Sequence, residues 1–153
     1  LAKIFEGDRT AYAPCTSEAV MHIMNHYGIE LQGKRVTVIG RSMVVGKPLS
    51  MLMLGQNATV TICHSRTKDL ADRCREAEII VAAIGRANHI TADMIAEGAV
   101  VADICAGSGT TAVAALNTGR RFICFETVPA YYAAATERIR LARSALEAGE
   151  KGV

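Results

Sequence analysis

The residues of this chain with the plainest chemical use lie in the run 35–48, RVTVIGRSMVVGKP. Gly40 follows the β-branched apolar residues Val36, Val38 and Ile39 and permits a tight turn at the end of a buried strand. Gly46 permits close backbone approach, and Pro48 has the fixed φ that suits a first helical turn. A strand, a glycine turn and a helix start aim backbone N–H groups, backed by the positive end of the helix dipole, at whatever lies above the strand. Phosphate is the usual occupant of such a loop. The spacing is not G-x-G-x-x-G, because Arg41 and Ser42 follow Gly40, and a strand-to-helix turn without a ligand is the alternative reading. A second glycine-rich stretch, 105–111, precedes another helix and is expected to offer N–H groups to an anion or a carboxylate.

Both loops need a sheet beneath them, and the hydrophobic pattern supplies one. Strands are predicted at 35–39, 58–63, 78–84, 99–104 and 121–125. Helices are predicted between them: from a cap at Thr16 or Ser17 to Tyr27, then over 47–56, 69–76, 91–96, up to 117, and over 129–146. Residues 1–14 read as irregular. Strand and helix alternate throughout, which defines an α/β fold. The expected architecture is a Rossmann-like three-layer sandwich with a five-stranded, mostly parallel sheet, one domain over 1–153. In the usual doubly wound order the first and fourth strands are neighbours, so the two glycine loops would face each other across one crevice.

Composition narrows the function. Half of the 153 residues are hydrophobic, tryptophan is absent, and the formal charge is only +2, which argues against a strongly electrostatic nucleic-acid binder. No apolar run is long enough to cross a bilayer and no secretory leader is read. Leu1 in place of an initiator methionine leads to the expectation of a fragment or a processed product. The five cysteines, Cys15, Cys63, Cys74, Cys105 and Cys124, are odd in number and lack C-x-x-C spacing. Reduced thiols in a cytoplasmic protein are expected, with no metal site.

The motifs Pro14-Cys15-Thr16, Val38-Ile39-Gly40-Arg41-Ser42, Val45-Gly46-Lys47-Pro48, Cys63-His64-Ser65, Thr67 and Ala82-Ala83-Ile84-Gly85 occur in order. Together they resemble the nucleotide-binding domain of bifunctional methylenetetrahydrofolate dehydrogenase/cyclohydrolase, over about 1–103. The chain departs from that family at Ser17 and Ala19, where proline and glycine are usual, a change expected to affect a helix start more than the cofactor site. The resemblance implies NADP as cofactor and hydride chemistry on a folate one-carbon unit. It implies a cofactor site of Gly40, Arg41, Ser42, Val45, Gly46, His64, Ser65, Arg66, Thr67, Ala83, Ile84 and Gly85. Arg and Ser after the first two strands suit a 2′-phosphate, where an acidic residue would suit a free 2′-hydroxyl. His64 has no carboxylate or nucleophile placed beside it by sequence and reads as structural or as a ribose contact. The family's catalytic lysine and folate pocket belong to an N-terminal domain, so no catalytic residue is assigned.

A second resemblance covers about 101–146. Asp103-Ile104-Cys105-Ala106-Gly107-Ser108-Gly109-Thr110-Thr111, then Glu126 and Tyr131, resemble the S-adenosylmethionine loop of DNA amino-methyltransferases. It implies that Asp103 opens the loop, that Gly107 and Gly109 approach the methionine part, that Ser108 and Thr110 belong to the same cofactor site, and that Glu126 holds ribose hydroxyls. No Pro-Pro pair exists for a target-base motif, so base methylation is not supported. The two resemblances meet in phase, as in a chimera. The readings carried forward are an NADP-binding module inactive alone, an S-adenosylmethionine-binding module, and a scaffold without activity. A small-molecule nucleotide is the expected partner, with a homodimer as the expected assembly.

Overall fold

The computed structural model describes residues 2–8, 10–84, 90–104 and 106–149. Gly85 and Cys105, named above, lie outside the described residues. Five strands form one sheet: β1 (Arg35–Ile39), β2 (Thr59–Cys63), β3 (Ile79–Ala82), β4 (Val100–Asp103) and β5 (Arg121–Cys124). Their spatial order is β2-β1-β3-β4-β5, and every pairing is parallel rather than most of them. The helices are α1 (Ala2–Phe5), α2 (Cys15–His26), α3 (Gly46–Gly55), α4 (Leu70–Arg75), α5 (Thr110–Leu116) and α6 (Pro129–Glu147), with a 3-10 turn at Ala92–Met94.

The central strands are buried on both faces, which is why they read as near-continuous apolar runs. Val36, Val38, Val81 and Ala102 point to one face, under Val20 and Met24 of α2 and Leu49 and Met53 of α3. Ile39, Ile80 and Val101 point to the other, against Cys74 of α4 and Ile95. A one-residue slip would exchange these sets, so the alternation pins the register. That register aligns the carboxyl ends of the strands: Ile39 pairs with Cys63 and Ala82, Ala82 with Asp103, and Asp103 with Cys124.

Three expectations are corrected. The stretch expected to be irregular contains α1, one turn long, because Ile4 is buried. Neither Thr16 nor Ser17 caps α2; the helix starts at Cys15 after Pro14, with no side-chain cap. The first and fourth strands are not neighbours, because β3 lies between them. The strand order reverses between β1 and β3, and that is where the crevice of an open α/β sheet forms. The two glycine loops share the carboxyl end of the sheet but stand two strand spacings apart, about 10 Å.

Candidate nucleotide site

The switch point is built from the exits of β1, β2 and β3. Gly40 carries φ +133°, and a Cβ there would lie 2.7 Å from the Ala83 carbonyl oxygen. Its N–H donates to Cys63 O at 2.8 Å, and Ala83 N donates to Ile39 O at 2.8 Å. Gly40 is thus the point where the three strand exits close on one another. Gly46 is the second requirement: a Cβ there would drive into the Gly40 carbonyl and stand 2.9 Å from Arg41 N. The loop 40–46 folds back on itself and leaves no room for a side chain at either end.

The N–H groups of this loop are not all left free. Val45 N and Gly46 N donate to Ser42 Oγ at 3.0 and 3.4 Å. Lys47 N donates to Ser42 O at 3.0 Å. A serine hydroxyl can accept two hydrogen bonds and donate one. Ser42 therefore takes two donors from the start of α3, and its hydroxyl still has a proton to donate. Arg41 and Ser42 are exposed at the exit of β1, as are Ser65 and Arg66 at the exit of the adjacent β2. Two guanidinium groups and two hydroxyls thus stand on neighbouring strand ends.

His64 has a structural task in that second exit. Its Nδ1 accepts from Arg66 N at 3.1 Å, and its own N–H donates to Thr67 Oγ1 at 2.9 Å. Thr67 N returns to His64 O at 2.9 Å. This closed turn orients Ser65 and Arg66. Ala83 and Ile84 continue β3 into the crevice as half-buried residues.

The second glycine loop differs from the expectation. Gly107 N donates to Glu126 Oε2 at 2.8 Å, and Gly109 N donates to Ala106 O at 2.9 Å. These N–H groups are satisfied internally, because β5 runs beside β4 and brings Glu126 to the loop. Val128 N meets the other carboxylate oxygen at 2.8 Å. The Val128 N–H, and with it those of Gly107 and Thr127, hold the Glu126 carboxyl below the ordinary carboxylate range. Asp103 Oδ2 accepts from Thr111 Oγ1 at 2.6 Å. Two carboxylates at the ends of β4 and β5 make this mouth acidic, which disfavours an incoming phosphate. Arg138 of α6 spans the outer rim, donating to Ser108 O and Oγ at 3.0 Å and to Thr110 Oγ1 at 3.2 Å. A Cβ on Gly109 would lie 3.0 Å from that of Ala135, so this glycine lets α6 approach α5.

Glu126 provides a pH-dependent prediction. Its folded value lies below the unfolded one, so its stabilisation is full above the ordinary carboxylate range and is lost as pH falls through the folded value. Wild type is expected to melt above E126Q at about pH 7, and the gap to close as pH falls below the folded value. A gap that stays constant with pH would show that the charge plays no part.

The thiols of Cys74 and Cys124 are poor nucleophiles. Burial first, and the Asp103 charge second, push Cys124 up to about 12, and burial pushes Cys74 up to about 11. Cys15, Cys63, Cys74 and Cys124 are free. Among the described residues no cluster of three His, Cys, Asp or Glu side chains could hold a metal, and no helix is long and apolar enough to cross a membrane.

Ser17 is the site-related residue that sequence reasoning placed wrongly. It is fully buried, and its hydroxyl lies 3.2 Å from both Val44 O and Val45 O in the first glycine loop. A serine at the usual proline position was visible in the sequence, but its partner, 27 residues away, was not.

A parallel sheet with a glycine loop folded over its switch point is a Rossmann-like nucleotide-binding domain. Residues 14–123 match the NAD(P)-binding domain of tetrahydrofolate dehydrogenase/cyclohydrolase, and the chain belongs to that family. The bifunctional protein FolD of Clostridioides difficile is 53% identical over 103 residues, 67% of this chain and 36% of that protein. FolD of Carboxydothermus hydrogenoformans is 57% identical over 102 residues, again 67% of this chain and 36% of that protein. The bifunctional enzyme FolD of Campylobacter jejuni superposes with a TM-score of 0.71 at 29% identity, covering 88% of this chain and 50% of that one. The Trypanosoma brucei enzyme, solved with NADP cofactor and an inhibitor, superposes at 0.67 with 28% identity over the same shares. The chain thus spans 36% of the length of the curated relatives named here. The family match continues beyond Asp103 through α5 and most of β5.

Proposed function

We propose that this chain is an NADP-binding module of the folate dehydrogenase type, unable to oxidise methylenetetrahydrofolate by itself. The observation that carries this reading is the pairing of Arg41 and Ser42 at the end of β1 with Ser65 and Arg66 at the end of β2. No acidic residue stands among these four to compete for a ribose diol. Gly40 and Gly46 let the loop fold tightly over the strand exits, and the Ser42 hydroxyl carries the potential of the α3 N-terminus to a phosphate oxygen. When bound, NADP would supply the hydride acceptor. The chain's own residues bind and orient it, and none of the described ones is placed to activate a folate. In this reading the site comprises the β1, β2 and β3 exits, with Asp103 and the loop 106–110 at its far rim.

Calorimetric titration with NADP and NAD tests this. Saturable NADP binding, tighter than NAD, is expected, with no NADPH formed when methylenetetrahydrofolate is added. No binding of either dinucleotide sinks the module reading, and turnover above background sinks the claim of inactivity.

A second reading, an S-adenosylmethionine site on the β4 and β5 side, is favoured by one observation. Glu126 lies two residues beyond the end of β5, the strand beside Asp103, and bonds Gly107, so an acidic group that could take ribose hydroxyls lies against the glycine loop. A chimeric origin for 101–146 goes with this reading, and a scaffold without ligand remains if neither cofactor binds. Titration with S-adenosylmethionine separates the readings, and displacement by NADP tests whether one crevice serves both.

A further inference from the structure

We propose that Ser17 is a positioning residue for the nucleotide loop, holding its tip from outside through the carbonyls of Val44 and Val45. This deepens the NADP reading and rests on it. The hydroxyl lies 3.2 Å from each carbonyl oxygen, across a separation of 27 and 28 residues, so it joins the first turn of α2 to the β1 exit. Ser17 has no exposed surface. The side chains of Met43, 51% exposed, and Val44, 62% exposed, add no burial to fix the tip, whose other ties are the bonds to Ser42 and the first turn of α3.

Val45 O accepts from Leu49 N at 2.9 Å within α3, whereas Val44 precedes that helix. A serine has one proton to donate, and the two carbonyls share it. With the tip fixed, Val45 N and Gly46 N meet Ser42 Oγ, which leaves the exposed Ser42 hydroxyl with a proton to donate. Without the hydroxyl the tip can swing, and Ser42 and Arg41 lose their common orientation.

Amide hydrogen exchange at Val45 and Gly46, and calorimetry with NADP, would be measured on wild type, S17A and S17C. Cysteine keeps the volume but donates weakly. Both variants are expected to exchange faster at these two amides while the sheet amides hold. NADP affinity is expected to fall about two- to tenfold, the equivalent of one ordinary hydrogen bond. If S17C matches wild type in both readouts, volume and not the hydroxyl matters, and the proposal is wrong. It is also wrong if exchange rises evenly across the sheet, which would mean general destabilisation. A wild type that takes up no NADP overturns the nucleotide reading instead, and the clamp is then decided by exchange alone.

Discussion

Replacing Gly46 by alanine is expected to remove nucleotide binding and to lower the melting temperature by about 10 °C. The added Cβ would enter the space of the Gly40 carbonyl and press on Arg41 N, and both are backbone atoms. A flexible side chain could turn aside, whereas this peptide follows directly on one fixed to the β1 exit by the bond from Gly40 N to Cys63 O. Overpacking typically costs about 1–3 kcal/mol, and a clash with fixed backbone falls at the upper end. For a chain of this size that corresponds to a shift of roughly 2–4 °C per kcal/mol. The affinity loss should exceed what stability alone explains, because relief of the clash moves Arg41 and Ser42 together. Gly55, at the far end of the same helix, is the control: a Cβ there meets nothing within 4 Å. Thermal melts and NADP titration of G46A and G55A check this. A G46A protein that binds as well as wild type would show that the loop relaxes freely and that its fold is not tight.

The second large effect concerns cofactor choice. Wild type is expected to bind NADP more tightly than NAD, and substitution of Arg41 and Arg66 together by alanine to bring the two affinities level. Each charge-assisted contact to a 2′-phosphate is worth about 1.5–3 kcal/mol, or roughly ten- to a hundredfold in affinity. Both side chains are exposed, so the preference should shrink as salt rises. NAD affinity, which does not draw on a 2′-phosphate, should change little in the double variant. Equal affinities for NADP and NAD in the unmodified protein would refute the assignment of these arginines. Loss of both cofactors in the variant would assign them to the pyrophosphate instead.

Much of this protein follows from local pattern. The buried strands could be read because Val36, Val38, Ile80 and Val81 must be covered on both faces. The loop 40–46 could be read because a strand, a glycine and a helix start in that order have few other uses. The charged pair at the β1 and β2 exits needed only the positions of Arg41 and Arg66 just after two predicted strands.

Other features depended on which strands lie side by side, and sequence spacing does not encode that. The reversal of strand order falls between β1 and β3, which separates the two glycine loops by one strand. The N–H of Gly107 is taken by Glu126, 19 residues away, because β4 and β5 pair in register. Ser17 serves the loop and not the start of its own helix, because α2 packs beside α3 and brings a hydroxyl to two carbonyls that have few neighbours. Periodicity and turn chemistry act over a few residues and determined the elements. The direction of a hydrogen bond between distant residues is decided only when packing sets the elements side by side, because burial then obliges each polar group to find its partner in the fold.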